Sequence, residues 1–386
     1  MQRTYNREFV LAFFGYFLAG LAFGGYLHLP GLLRDFGAND TRMGIIAAVP
    51  PALSVLLRPW IGQLSDRVGR RPVLRAGSAI ALAACALYVV VDDMGPLLYF
   101  VRILHGVAQA ILFAVYFTVA SDHVPAARRT QGLAIFGIAG MLPLALSGAL
   151  GDWIVPHFGY RALFIALAVL EFGSFILTLF LKESAPAEAR GRRPVLGMLT
   201  RPELVPLWIA IFGFEVAAAT YFTFIKTFTL DTHLGSVGEF FGFYSGAAIV
   251  LRVFFGWIPD RLGPRRTLVP ALGASMLGYA VLANATTEID VIVAGLLTGT
   301  GHGFVYPIVA SLVVSRVADV ERGASLALYT AVYEAGLLVG SPIIGAVLEH
   351  YGYDDMFWLA FSVVATAAIL FSALDHRRPA LLRAGP

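Results

Sequence analysis

Six polar side chains interrupt runs that are otherwise apolar: His105 and Gln109 in YFVRILHGVAQAILF, Glu171 in FIALAVLEFGSFILTLF, Glu215 in LWIAIFGFEVAAATYF, His302 in GLLTGTGHGFVYPIV and Glu334 in LALYTAVYEAGLLVG. A charge at the centre of a bilayer costs about 2.5 to 3.5 kcal/mol on insertion scales, so each ionisable group there is a functional candidate by default. A carboxylate in such a medium can exchange a proton in the physiological range, and an imidazole can titrate or bind a solute. Glu215 and Glu334 are therefore the leading proton carriers, the alternative for each being a neutral, hydrogen-bonded structural role. For Glu171 the structural role is favoured. His105 and His302 could titrate, bind substrate or pack against helix glycines. Arg102 lies in the outer third of its run, where its stem can stay in lipid while the charge reaches the interface. Two histidines and a glutamate could hold a metal, but no close-spaced ligand motif is present, so neither a metal nor a cofactor is expected.

These residues need apolar helices to carry them, and the composition supplies them. Of 386 residues 58% are hydrophobic and 14% charged, with a mean hydropathy of +0.76, well outside the range of soluble domains. The single cysteine, Cys85, excludes an internal disulfide. Apolar runs place helices at about 8–33, 42–64, 73–92, 95–120, 130–155 and 160–182, then at 203–230, 237–258, 267–286, 289–315, 323–349 and 355–375. An Arg-, Pro- and Glu-rich stretch separates the two sets. The expected organisation is a bundle over 1–183, a linker over 184–202, a bundle over 203–376 and a tail over 377–386. MQRTYNREF leads into the first helix without a small-residue cleavage signature, so that helix is expected to be retained. Most of the 28 basic residues fall on alternate loops, which puts both termini in the cytoplasm of a multi-pass protein of the cell membrane.

The two sets are copies. GQLSDRVGRRPVL from Gly62 lies on GWIPDRLGPRRTL from Gly256, so that Arg58 meets Arg252, Asp66 meets Asp260 and Arg71 meets Arg265. With one residue absorbed in the third segment, GYRALF at Gly159 then lies on GYDDMF at Gly352. Six helices per copy give both copies one topology and a pseudo-twofold axis along the membrane normal.

These residues resemble the major facilitator superfamily over essentially the whole chain. Its loop signature is complete at Gly62, Leu64, Asp66, Arg67, Gly69, Arg70 and Arg71; the second copy keeps Gly256, Asp260, Arg261, Gly263 and Arg265 but has Ile258 and Pro264 at two signature places. Arg102, His105 and Gly106 resemble a further element, with His in place of the usual Gln. RILHG and SDHVPAARR look like a subgroup of small bacterial efflux permeases that includes opine-metallophore exporters. The resemblance implies an all-α fold of twelve transmembrane helices in two six-helix bundles, with the first, fourth, seventh and tenth helices lining a central cavity. It assigns Asp66, Asp260 and their arginines and glycines to a cytoplasmic latch, and Arg102 and His105, beside Glu215 and Glu334, to proton coupling. It places Gln109, His302, Tyr16, Tyr26, Tyr116, Tyr221 and Tyr306 on cavity helices, where each could meet a ligand or simply pack. It departs at the fifth helix, where GIAGMLPLALSGALG spaces its glycines unlike the antiporter motif, and in the first, which has no acid between Glu8 and Asp35.

The function expected is secondary active transport of a small organic solute by alternating access, proton-coupled and outward. Uptake by symport, or a non-transporting sensor on the same scaffold, are the alternatives. No Walker sequence occurs, so an ion gradient supplies the energy, and the protein is not an enzyme. The expected partners are substrate, protons and membrane lipid, with no nucleic acid, and the expected state is a monomer.

Overall fold

The computed structural model describes residues 6–124, 129–183, 196–318 and 321–375. The expected tail at 377–386 and most of the linker lie outside them. Among the described residues the chain is helical throughout, without strands.

The first copy comprises α1 (Arg7–Gly24), a 3-10 turn (Gly25–His28) and α2 (Leu29–Asp35), which together form one apolar segment long enough to cross a membrane, then α3 (Asp40–Val68), α4 (Arg70–Tyr88), α5 (Pro96–Asp122) and α6 (Arg129–Phe180). The second comprises α7 (Val205–Thr232), α8 (Val237–Phe254), α9 (Ile258–Leu262), α10 (Pro264–Ala283), α11 (Glu288–Ser315) and α12 (Arg322–Asp375). Helix starts follow local chemistry: Asn39 caps α3 by accepting from the Arg42 amide at 3.0 Å, and Ser236 caps α8 from Glu239 at 3.1 Å.

Two expected boundaries differ. The loops expected at 156–159 and 350–354 are absent, and α6 and α12 run through them, broken only at Gly159 (φ 79°, ψ 173°) and Gly352 (φ 87°, ψ −178°). These are the two glycines that the repeat aligns. A positive φ lets one residue reverse the chain, and glycine adopts it without a Cβ penalty.

Within the first copy α1 packs on α6, α3 on α5, and α4 on both α5 and α6; within the second α7 packs on α12, α8 and α10 on α11, and α10 on α12. The copies meet chiefly where α3 lies on α12 and α6 on α8. Both contacts rest on glycine, and they are repeat-equivalent. A Cβ on Gly44 would overlap the Ser341 carbonyl, and one on Gly148 would stand 3.0 Å from the Gly238 Cα; the repeat lays Gly44 on Gly238 and Gly148 on Ser341.

Candidate functional site

Along α3 and α12 the contact between copies ends in one buried ion pair, in which Arg58 donates through Nη2 to Glu334 Oε1. The same nitrogen reaches Ser54 Oγ, one turn earlier, at 3.4 Å. The side chains are only 14% and 11% exposed, and the second Glu334 oxygen has no hydrogen-bond partner. Glu215 on α7 lies beside this pair, near enough to Glu334 and Tyr333 to feel both electrostatically. It is wholly buried, its Cβ against Gly336 of α12, and neither carboxylate oxygen has a partner.

Aromatic rings line the same region. His302 stacks on Tyr306 with centroids 5.9 Å apart and 7° between planes, and Tyr306 meets Tyr333 and Tyr329 edge-on at 5.2 Å. Tyr329 donates to the Tyr306 carbonyl at 2.8 Å. Tyr16 of α1 stands apart from them, stacked on Phe136 at 5.2 Å and 5.7 Å from Tyr116 inside the first copy. The structure therefore brings Glu215, Glu334, His302 and Tyr306 together.

The other candidates stand elsewhere. Tyr221 is fully buried inside the second copy among Phe240, Tyr244 and Tyr279. Tyr116 bonds to Ser174 Oγ at 3.0 Å in the core of the first copy. His105, Gln109 and Tyr26 line, with Glu171 and Cys85, a small cavity of about 30 Å³ inside that copy, room for about one water. His105 Nε2, Gln109 Oε1 and Glu171 Oε1 all lack protein partners there, which suits a bridging water.

Arg102 is tied to backbone. Its Nε and Nη2 donate to the Ile46 carbonyl at 3.1 and 3.0 Å, and Nη1 lies 3.1 Å from His105 Nδ1. Ile46 precedes Pro50 by four residues, so its carbonyl has no helical N–H to accept, and Arg102 supplies the donor. Arg252 does the same in the second copy: its Nε donates at 3.3 Å to Gly303, whose carbonyl Pro307 leaves free. Among the described residues neither arginine pairs with a carboxylate.

Arg58 and Arg252 were absent from the expected site. The signal for them was present, since they are aligned basic residues inside apolar helices.

The two ends of the molecule differ. At one end the copies are joined by polar bonds. Arg34 pairs with Asp231 and donates to Tyr353 at 3.3 Å, and Tyr353 donates to Asp231 at 2.7 Å. Glu349 accepts from Asn39 at 2.9 Å and from the Thr41 amide at 3.1 Å, at the N-terminus of α3. Asp152 accepts from the Gly238 amide at 2.6 Å, at the N-terminus of α8, and lies 3.6 Å from Lys226. Each copy thus sets a carboxylate at a helix N-terminus of the other, where the helix dipole favours it.

At the other end the signature residues bond within their own copies. Arg70 pairs with Asp122 and lies 3.2 Å from Asp66, Arg71 donates to the Leu179 carbonyl at 3.1 Å, and Arg265 lies 3.5 Å from Asp375. Arg67 and Asp260 are exposed, as are Gly62 and Gly256, and Arg261 lies over Trp257. Gly69 and Gly263 take matching positive φ values of 97° and 93° at the turns. The N-terminus of α4 is held by Glu183, which accepts from the Arg70 amide at 2.7 Å, so Asp66 is not at that helix end in this state. Arg201 and Glu321 form a two-bond fork at 2.9 and 2.8 Å, which raises the guanidinium above its ordinary value.

A tandem repeat of apolar helices, glycine-mediated contacts between copies and a buried charge pair across them narrow the choice of families. The profile of the Major Facilitator Superfamily matches residues 9–287 and 235–385. The chain belongs to the Major Facilitator Superfamily. It is therefore a multi-pass membrane transporter and not an enzyme. It is 26% identical to the multidrug resistance protein MdtG of Klebsiella pneumoniae over 98% of this chain and 95% of that one. It is 27% identical to the probable nitrate/nitrite transporter NarK2 of Mycobacterium tuberculosis, over 90% of each, and 24% identical to the staphylopine export protein of Staphylococcus aureus, over 95% of each. Among solved structures, the nucleoside transporter NupG superposes with a TM-score of 0.77 at 13% identity, covering 96% of this chain and 99% of that one. That likeness extends to the fold alone.

Proposed function

We propose that this superfamily member is a proton-coupled exporter of a small organic solute, working by alternating access, and that the structure is its inward-open state. Nine described segments are long and apolar enough to cross a membrane. Two of them, 46 and 54 residues long, far exceed the roughly 20 residues one crossing needs and break at Gly159 and Gly352, so each reads as two crossings. With α4 the number is twelve, six per copy, in bundles over 1–183 and 203–376 joined by the 184–202 linker. The clustering of arginine beside the signature loops assigns that open end, with both termini, to the cytoplasm.

The observation that carries the reading is the Arg58–Glu334 pair, a largely buried link between copies. A carboxylate that can hold either a fixed arginine or a proton converts proton occupancy into contact between copies. Ionised, Glu334 ties α12 to α3 and favours closure of the outer end; protonated, it releases Arg58 and the copies can part there. Glu215 is the second proton carrier beside it. Once the outer end opens, Asp66 and Asp260 latch the cytoplasmic end. Relatives named for multidrug resistance and staphylopine export favour outward transport.

Flux in inside-out vesicles, with the proton gradient imposed in either direction, tests this. Uptake into such vesicles should require an acidic interior. Flux indifferent to the gradient would exclude proton coupling, and flux driven by the opposite gradient would make the protein a symporter.

A further inference from the structure

The repeat builds two arginine seats but only one counter-charge. Arg58 and Arg252 are equivalent positions on α3 and α8. Because α6 faces α8 as α12 faces α3, the partner that Glu334 gives to Arg58 should come to Arg252 from the equivalent position on α6. The register that lays Gly148 on Ser341 and Gly159 on Gly352 lays Met141 on Glu334. A buried thioether stands where symmetry calls for a carboxylate.

Arg252 consequently keeps its charge without an acidic partner among the described residues. Its Nε and Nη2 are spent on the Gly303 and His302 carbonyls, while among the described residues Nη1 makes no hydrogen bond. Since a guanidinium carries five N–H donors, a planar acceptor can still engage this one. Glu215 does not serve as the counter-charge: among the described residues no ion pair joins it to Arg252, and the side chains that act on its carboxylate are Tyr333 and Glu334. The Arg252 guanidinium lies 6.0 Å from the Tyr306 ring centroid, in the wall of Tyr306, Tyr333 and His302 rings. His302, 9% exposed, has a buried Nδ1 without a hydrogen-bond partner, a second polar atom left unsatisfied in this wall.

We infer that the substrate is a small organic anion with a planar aromatic face, its carboxylate seated on Arg252 and its ring against Tyr306 and His302. The inference rests on the transport reading above and adds the substrate class. A bound anion supplies the missing counter-charge, so both seats are then neutralised, one by the protein and one by its cargo.

The test is binding of benzoate, benzamide and benzylammonium to the purified full-length chain in detergent, by calorimetry. Benzoate should bind, and its neutral and cationic isosteres should bind at least about tenfold more weakly. Met141→Glu provides an internal counter-charge without touching Arg252 and should abolish benzoate binding. Met141→Gln, similar in size but uncharged, should retain it, and Arg252→Gln should lose it. Preference for benzylammonium or benzamide, absence of benzoate binding, or equal behaviour of the two Met141 variants would each overturn the inference. Because the assay involves no flux or gradient, its failure is separate from a failure of proton coupling.

Discussion

The two ends of this transporter hold the same kinds of residue in opposite arrangements. At the end carrying Arg34, Asp152, Asp231 and Glu349, charged groups bond across the copies; at the end carrying the signature loops, Arg70, Arg71 and Arg265 bond within them. Closure is therefore not a matter of charge content. Where glycines let backbones meet, carboxylates find helix N-termini of the other copy; at the signature loops, equally charged residues bond to neighbours in their own copy. The Arg58–Glu334 pair sits between these regimes and so is placed to report one to the other.

That contrast can be broken in order of expected effect. Gly44→Leu drives a side chain into the Ser341 backbone and should abolish transport while the protein still reaches the membrane; more than a tenth of wild-type flux would contradict the glycine contact. Glu334→Gln leaves Arg58 buried without a counter-charge, a loss of about 3 to 5 kcal/mol for a buried pair. It should remove the dependence of flux on the proton gradient, read as downhill exchange that no longer accumulates substrate. Arg102→Gln strips the Ile46 carbonyl of its donor and should lower thermal stability by about 1 to 3 kcal/mol with coupling intact. If coupling is lost and stability kept, Arg102 belongs to the proton path instead. Asp231→Asn weakens a solvent-exposed pair worth about 0.2 to 1 kcal/mol and should shift the balance between states only slightly, with a larger shift at low salt than at high salt.

The sequence exposed the repeat, the signature loops and the buried acids because each is local: a motif, a periodicity, or a polar residue in an apolar run. Glu215 and Glu334 stood out for that reason, and so did the kink glycines 159 and 352, although their helical continuity did not. The partner of Glu334 was not legible, since Arg58 lies 276 residues away and on the other copy, where only the packing of α3 on α12 joins them. The surroundings of Arg102 were hidden for a related reason. A buried arginine beside a histidine suggests coupling; that its Nε and Nη2 also serve the Ile46 carbonyl freed by Pro50 becomes visible only when a neighbouring helix supplies the donor. Tyr221 and Tyr116 lie on helices expected to line the cavity but face the interiors of their own copies, because helix identity does not fix which face a ring occupies.

The central claim, that the two ends exchange contact as Glu334 gains and loses a proton, is tested most directly by spin-label distances. One pair is placed at Asp35 and Asp354, the other at Val68 and Leu262, in a Cys85→Ala background reconstituted in lipid. On lowering the pH the first pair should lengthen as the second shortens, and Glu334→Gln should hold the low-pH distances at every pH. Distances at both ends that are unchanged by pH, or that lengthen together, would contradict the account.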